Sequence, residues 1–159
     1  MKKVYLLVVL LSSFVGYTQI ALNPVEWVVS YNSISNTEGE LIFTANIQDR
    51  WHIYSQKPST DGPVPTSFSI TLNNNHYEFV GAVEESNAHE IFDITFDAKL
   101  FVFDKQAVFK QKIKRKTKKA FHIISSVEFM SCDDSKCLPP KTLNFETHIP
   151  EITVLKSKL

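Results

Sequence analysis

Glu40-Leu41-Ile42-Phe43-Thr44-Ala45-Asn46-Ile47 is the stretch on which the fold turns. Apolar Leu41, Phe43, Ala45 and Ile47 recur at every second position. A period of two is the mark of a strand with one face buried and one face wet. Val127-Glu128-Phe129-Met130 shows the same alternation far along the chain. Between and around these two stretches, segments rich in Val, Ile, Phe, Tyr and Thr are broken by Asn, Asp, Gly and Pro clusters at intervals of roughly ten residues. The expected strands are Val25 to Tyr31, Glu40 to Ile47, Trp51 to Tyr54, Ser67 to Leu72, Tyr77 to Val80, Leu100 to Phe103, Ala107 to Ile113, Phe121 to Phe129 and Leu143 to Ile149. Even spacing of short strands, with no helical period carrying a cap and a stop, predicts an all-β antiparallel sandwich.

The connections read as follows. Pro58, Pro63 and Pro65 with Asp61-Gly62 mark an irregular loop, because proline donates no ladder hydrogen bond. Glu84 to His89 reads as a second polar loop. Lys112 to Lys119 holds six basic residues in eight positions where a hairpin should turn. A solvated hairpin tip is the usual meaning of such a run. Trp27 and Trp51 are expected in the core, where aromatic side chains dominate sandwiches.

The N-terminus reads differently. Lys2 and Lys3 precede an apolar run from Val4 to Val15, then Gly16, Tyr17, Thr18 and Gln19. That order predicts a signal peptide over residues 1–18, cleaved near Thr18/Gln19. A run of about a dozen residues falls short of the roughly 20 needed to span a bilayer, so stable membrane insertion is not expected. No cysteine lies at the cleavage point, so neither is a lipid-anchored form. A single domain over residues 19–159 remains, periplasmic or secreted, and long enough for one core. Of 17 basic side chains, loss of Lys2 and Lys3 leaves 15 against 17 acidic ones. A balance of −2 argues against a nucleic-acid partner.

The only cysteines are Cys132 and Cys137, inside Phe129-Met130-Ser131-Cys132-Asp133-Asp134-Ser135-Lys136-Cys137-Leu138-Pro139-Pro140. In an oxidising compartment such a pair closes unless something reduces it. The loop it closes is short, so its entropic stabilisation is smaller than that of a bridge between distant strands. Function is therefore the sharper reading and a plain hairpin staple the blander one. Lys136 beside Cys137 favours a thiolate, whereas Asp133 and Asp134 beside Cys132 disfavour it.

The Cys-x4-Cys-Leu-Pro-Pro run, the aromatic stretch Trp51-His52-Ile53-Tyr54-Ser55-Gln56 and the segment His89-Glu90-Ile91-Phe92-Asp93 occur in this order. Together they resemble the N-terminal periplasmic domain of the DsbD thiol:disulfide interchange protein family, from about Val25 to Ile149. The resemblance implies an immunoglobulin-like sandwich that passes reducing equivalents from a membrane or thioredoxin-like donor to oxidised periplasmic client proteins. It implies that Cys137 forms the mixed disulfide and Cys132 resolves it, with His52, Tyr54, Lys136 and Pro139 flanking the pair. Three departures stand out. The cysteines are separated by one residue fewer than in the best-known members. The phenylalanine that caps the pair there has no equivalent in Glu84-Glu85-Ser86-Asn87-Ala88, so shielding by Glu84 to His89 is left open. The membrane and thioredoxin-like domains of full-length members do not follow, which implies a separate electron donor.

No cofactor is expected. His52, His76, His89, His122 and His148 show no ligand spacing along the sequence, and two cysteines do not make a usual zinc site, so no metal is expected either. The sequence carries no Gly-rich phosphate loop and no Gly-x-Ser-x-Gly elbow. The alternative to a redox module is a non-catalytic immunoglobulin-like protein-binding module with a structural disulfide.

Overall fold

Eleven strands and no helix make up the described part of the computed structural model, residues 22–59 and 62–152. The expected signal segment, its cleavage point and Asp61 lie outside these residues. The strands are β1 (Val25–Ser33), β2 (Glu38–Ile47), β3 (His52–Tyr54), β4 (Ser67–Ile70), β5 (Tyr77–Glu85), β6 (His89–Asp93), β7 (Ala98–Asp104), β8 (Gln106–Arg115), β9 (Phe121–Phe129), β10 (Ser131–Cys132) and β11 (Lys141–Ile149). They form antiparallel sheets of order β1-β2-β8-β5, β10-β3-β7-β6 and β11-β9-β4. The all-β immunoglobulin-like sandwich read from the sequence is the fold of the protein.

The period of two decides the packing. In β2 the residues Leu41, Phe43, Ala45 and Ile47 point inward, and β8 opposes them with Ala107, Phe109 and Ile113. From the facing sheet β9 contributes Phe121, Ile123, Val127 and Phe129 to the same core. Trp27 stacks on Phe109 at 5.7 Å between ring centroids, and Phe68 sits edge-on to Trp27. Offset and edge-on aromatic pairs of this kind add to the hydrophobic term from burial. Both tryptophans are buried, as expected.

Three sequence expectations are corrected. The loop expected over Glu84 to His89 is shorter, residues 86–88: Glu84 and Glu85 close β5, and His89 opens β6. The cause is a bulge after Val80, where Gly81 takes a φ of 71° that a side chain would resist. The bulge returns the strand to register, so Glu84 pairs with Lys110 and Glu85 with Phe109. The basic run is half strand, because β8 continues to Arg115 and leaves the turn to residues 116–120. Within it Lys112 pairs with Glu84 at 3.3 Å, and Lys116 with Glu78 at 2.8 Å. Finally, β6 and the two-residue β10 were not expected, and these are the elements that build the site.

Candidate functional site: the cystine and the hairpin over it

Phe129 ends β9, and Ser131–Cys132 then crosses to the β3 side of the molecule, where Ser131 pairs with Ile53 and Cys132 with His52. This pairing buries Cys132 at the sheet end. The following turn is held by one side chain. The Asp133 carboxylate accepts hydrogen bonds from the Ser135 amide at 2.8 Å, the Ser135 hydroxyl at 2.7 Å and the Lys136 amide at 2.9 Å. Bonds to its charged form, the Ser135 hydroxyl foremost, hold its pKa below the usual carboxylate value. The turn reverses the chain and brings Cys137 back beside Cys132, with Cα atoms 4.0 Å apart and the two sulfurs bonded. The Leu138 amide then donates to the Ser131 carbonyl at 2.9 Å. Cys137 is partly exposed whereas Cys132 is buried, so the two sulfurs of one bond differ in access.

A small apolar cluster surrounds the bond: Tyr54, Leu100, Val102 and Cys132, with Ile91, Phe96, Met130 and Cys137 packed against it. Ile91 and Phe96 come from the hairpin of β6 and β7, which packs against this cluster. The segment Glu84 to His89 adds no apolar side chain to it. Glu85 instead accepts from the Ser55 hydroxyl at 2.6 Å and the Gln56 amide at 2.8 Å, at the end of β3 away from Cys132. Phe96 is the aromatic residue that the hairpin brings to the cluster, edge-on to Tyr54 with ring centres 6.1 Å apart.

Asp93 fastens that hairpin. One carboxylate oxygen accepts from the Thr95 and Phe96 amides at 2.8 and 3.3 Å, and so shapes the turn. The other accepts from the Tyr54 hydroxyl at 2.6 Å, which ties the turn to β3 beneath it. His52 completes the network, with its Nε2 at 3.2 Å from the Tyr54 oxygen and 3.8 Å from Asp93. Burial pushes the Tyr54 phenol well above its usual pKa, reinforced by the bond to Asp93. Burial also lowers the His52 pKa, against the opposing pull of Asp93, Asp104, Asp134 and Asp133. His52 is therefore neutral over most of the physiological range.

The expected flanking residues fall in different places. His52 and Tyr54 adjoin the cystine. Lys136 sits on the turn with its ammonium 6.0 Å from the Trp51 ring centre, and Pro139 is exposed in the segment between Cys137 and β11. Asp93 was missed as a site residue, because a lone Asp in a strand-like stretch gives no sign that it will be buried. Two clefts flank the site. One of about 410 Å³ is bordered by Asp49, Arg50, Trp51, His52 and Asp104. The other runs between His52 and the hairpin tip, where Phe92 is 60% and Ile94 86% exposed. Among the described residues, no three His, Cys, Asp or Glu side chains are grouped to hold a metal.

An immunoglobulin-like sandwich carrying a short-loop cystine in a cluster packed by a hairpin defines the class. Residues 20–149 match the family model for the N-terminal part of the thiol:disulfide interchange protein DsbD, and the chain belongs to that family. Solved structures agree on the fold. The N-terminal periplasmic domain of ScsB from Proteus mirabilis superposes with a TM-score of 0.56 at 14% identity, over 80% of this chain and 48% of that one. The chain thus spans about half of that ScsB chain. The complex between the DsbD N-terminal and PilB N-terminal domains from Neisseria meningitidis gives 0.51 at 14% identity, over 80% and 87% of the two chains. No curated protein matches the chain.

Proposed function

We propose that this chain is a periplasmic thiol–disulfide exchange module that delivers reducing equivalents through Cys132 and Cys137. The observation that carries the reading is the asymmetry of the bond: Cys137 is partly exposed and Cys132 is buried, in a cluster packed by a hairpin that a few polar contacts hold. In the reduced protein the Cys137 thiolate attacks one sulfur of a client disulfide. The client S–S bond breaks, a client thiolate leaves, and a mixed disulfide remains. The Cys132 thiolate then attacks Cys137, which releases the second client thiol and closes Cys132–Cys137. Two electrons have passed to the client. A dithiol donor, membrane-bound or thioredoxin-like, restores the pair by the reverse exchange at the same exposed sulfur.

Export by a signal peptide over residues 1–18 puts the module where clients become oxidised, and the ScsB and DsbD relatives are N-terminal domains, the former described as periplasmic. That a DsbD N-terminal domain is held by a PilB N-terminal domain supports a protein partner at this site. Exposed Phe92 and Ile94 on the hairpin offer that partner an apolar contact across a cleft from Asp133 and Asp134 of the cysteine turn. No helix among the described residues is long and apolar enough to cross a membrane. Cys132→Ala should accumulate mixed disulfides through Cys137, whereas Cys137→Ala should accumulate few, as read by non-reducing electrophoresis after acid quench. Equal trapping by both variants, or none by either, would refute the assigned roles.

A further inference from the structure

The outer face of the β4–β9–β11 sheet carries a second constellation, on the two strands that flank the cysteine turn in sequence. β9 and β11 pair so that His122 stands directly opposite His148. Their ring centres are 4.9 Å apart, and Nε2 of His122 lies 3.1 Å from Nδ1 of His148. Glu146, two residues before His148 on the same face, places a carboxylate oxygen 3.7 Å from Nδ1 of His122. His122 and Glu146 are 54% and 63% exposed, so the pair is open to solvent.

We propose that His122 and His148 form a two-histidine site for a late first-row divalent transition metal, with Glu146 as its positioning residue. Three features point there. Imidazole nitrogens suit Cu2+, Ni2+ and Zn2+, and directly opposed residues of a sheet are held at a fixed separation by the backbone. Metal–nitrogen bonds of about 2.0–2.1 Å put two nitrogens on one ion about 2.9 Å apart at right angles and about 3.4 Å apart in a tetrahedron. The observed 3.1 Å lies between these, so the spacing of the two nitrogens suits a single ion. The Glu146 carboxylate faces the His122 nitrogen that would not bind, and a carboxylate there orients the ring and raises its basicity. Water completes the coordination, in keeping with the lack of any third grouped ligand among the described residues.

The inference is independent of the redox reading, and the test keeps it so by using the untagged protein with Cys132–Cys137 oxidised, which removes thiolate ligands. CuCl2, NiCl2 and ZnCl2 are titrated separately by calorimetry, with the histidine ring resonances followed by NMR. Expected is saturable binding of one ion per chain, tightest for Cu2+, that moves the His122 and His148 resonances and leaves those of His52, His76 and His89 in place. His122→Asn and His148→Asn should each weaken binding by at least about tenfold, and Glu146→Gln by a smaller factor of up to about tenfold. Because all three side chains are exposed, unchanged circular dichroism of the variants shows that any loss belongs to the site. Absence of saturable binding, or binding that survives both histidine variants, would overturn the proposal. A Glu146→Gln protein that binds as tightly as the parent would overturn the role of the carboxylate.

Discussion

The large core between the β1–β2–β8–β5 and β4–β9–β11 sheets and the small cluster around the cystine are built on opposite principles. The large core is held by aromatic and aliphatic side chains, with Phe43, Phe109 and Val127 fully buried. The small cluster mixes apolar Leu100 and Val102 with a phenol, a buried carboxylate, a half-buried imidazole and a disulfide. Polar groups in such a place stabilise only while every partner is satisfied. A change in one contact is then felt locally. The protein thus keeps its stability in one region and its chemistry in another, joined by β3 and β7.

That division breaks down most visibly if damage to one region reaches the other. Phe109→Ala should cost about 3–5 kcal/mol by denaturant unfolding, the usual range for removing a buried aromatic ring. It should leave the reduction potential of Cys132–Cys137 unchanged, and a shifted potential would show that the regions are coupled. Reduction of the bond should cost much less, about 2 kcal/mol on the loop-entropy relation for so short a loop, as read by unfolding with and without reductant. Tyr54→Phe removes only the hydroxyl that ties Asp93 to β3. The loss should be about 1.5 kcal/mol, typical of a hydrogen bond to a charged group. Because the hairpin is loosened, a small dithiol should reduce the variant's cystine faster than the parent's.

The smallest effect is a pH dependence carried by His52. Burial holds its folded pKa below the ordinary imidazole value of about 6.5, so the unfolded chain binds the proton more readily. Stability from this group is present above 6.5 and is lost as the pH falls through the lowered native value. Unfolding midpoints between pH 7.5 and 5 should therefore fall less steeply in His52→Gln than in the parent.

Much of the large region was legible in the sequence. The alternation of Glu40 to Ile47 gave β2 its buried face, and Phe121 to Phe129 matched β9 end to end. The site was legible only in part. Cys132, Cys137, His52 and Tyr54 stood out as residue types in an unusual order. Their assembly depends on β10, two residues long and defined by pairing with β3 rather than by any pattern of its own. The hairpin was hidden for a related reason. Glu84 and Glu85 look like loop residues, yet cross-strand partners on β8 and the bulge at Gly81 keep them in a strand and shorten the connection to residues 86–88, beyond which β6 forms and the hairpin turns at 94–97. The facing of His122 and His148 is a matter of register between strands 26 residues apart, which residue spacing along one chain does not show.

Everything said of the small region turns on whether its bond is meant to open. The most direct test is the equilibrium reduction potential of Cys132–Cys137, by redox titration with thiol alkylation as readout. A value between about −180 and −270 mV, within reach of thioredoxin-like couples, is what the exchange reading predicts. A bond still closed below about −300 mV would contradict it and leave a stapled binding domain.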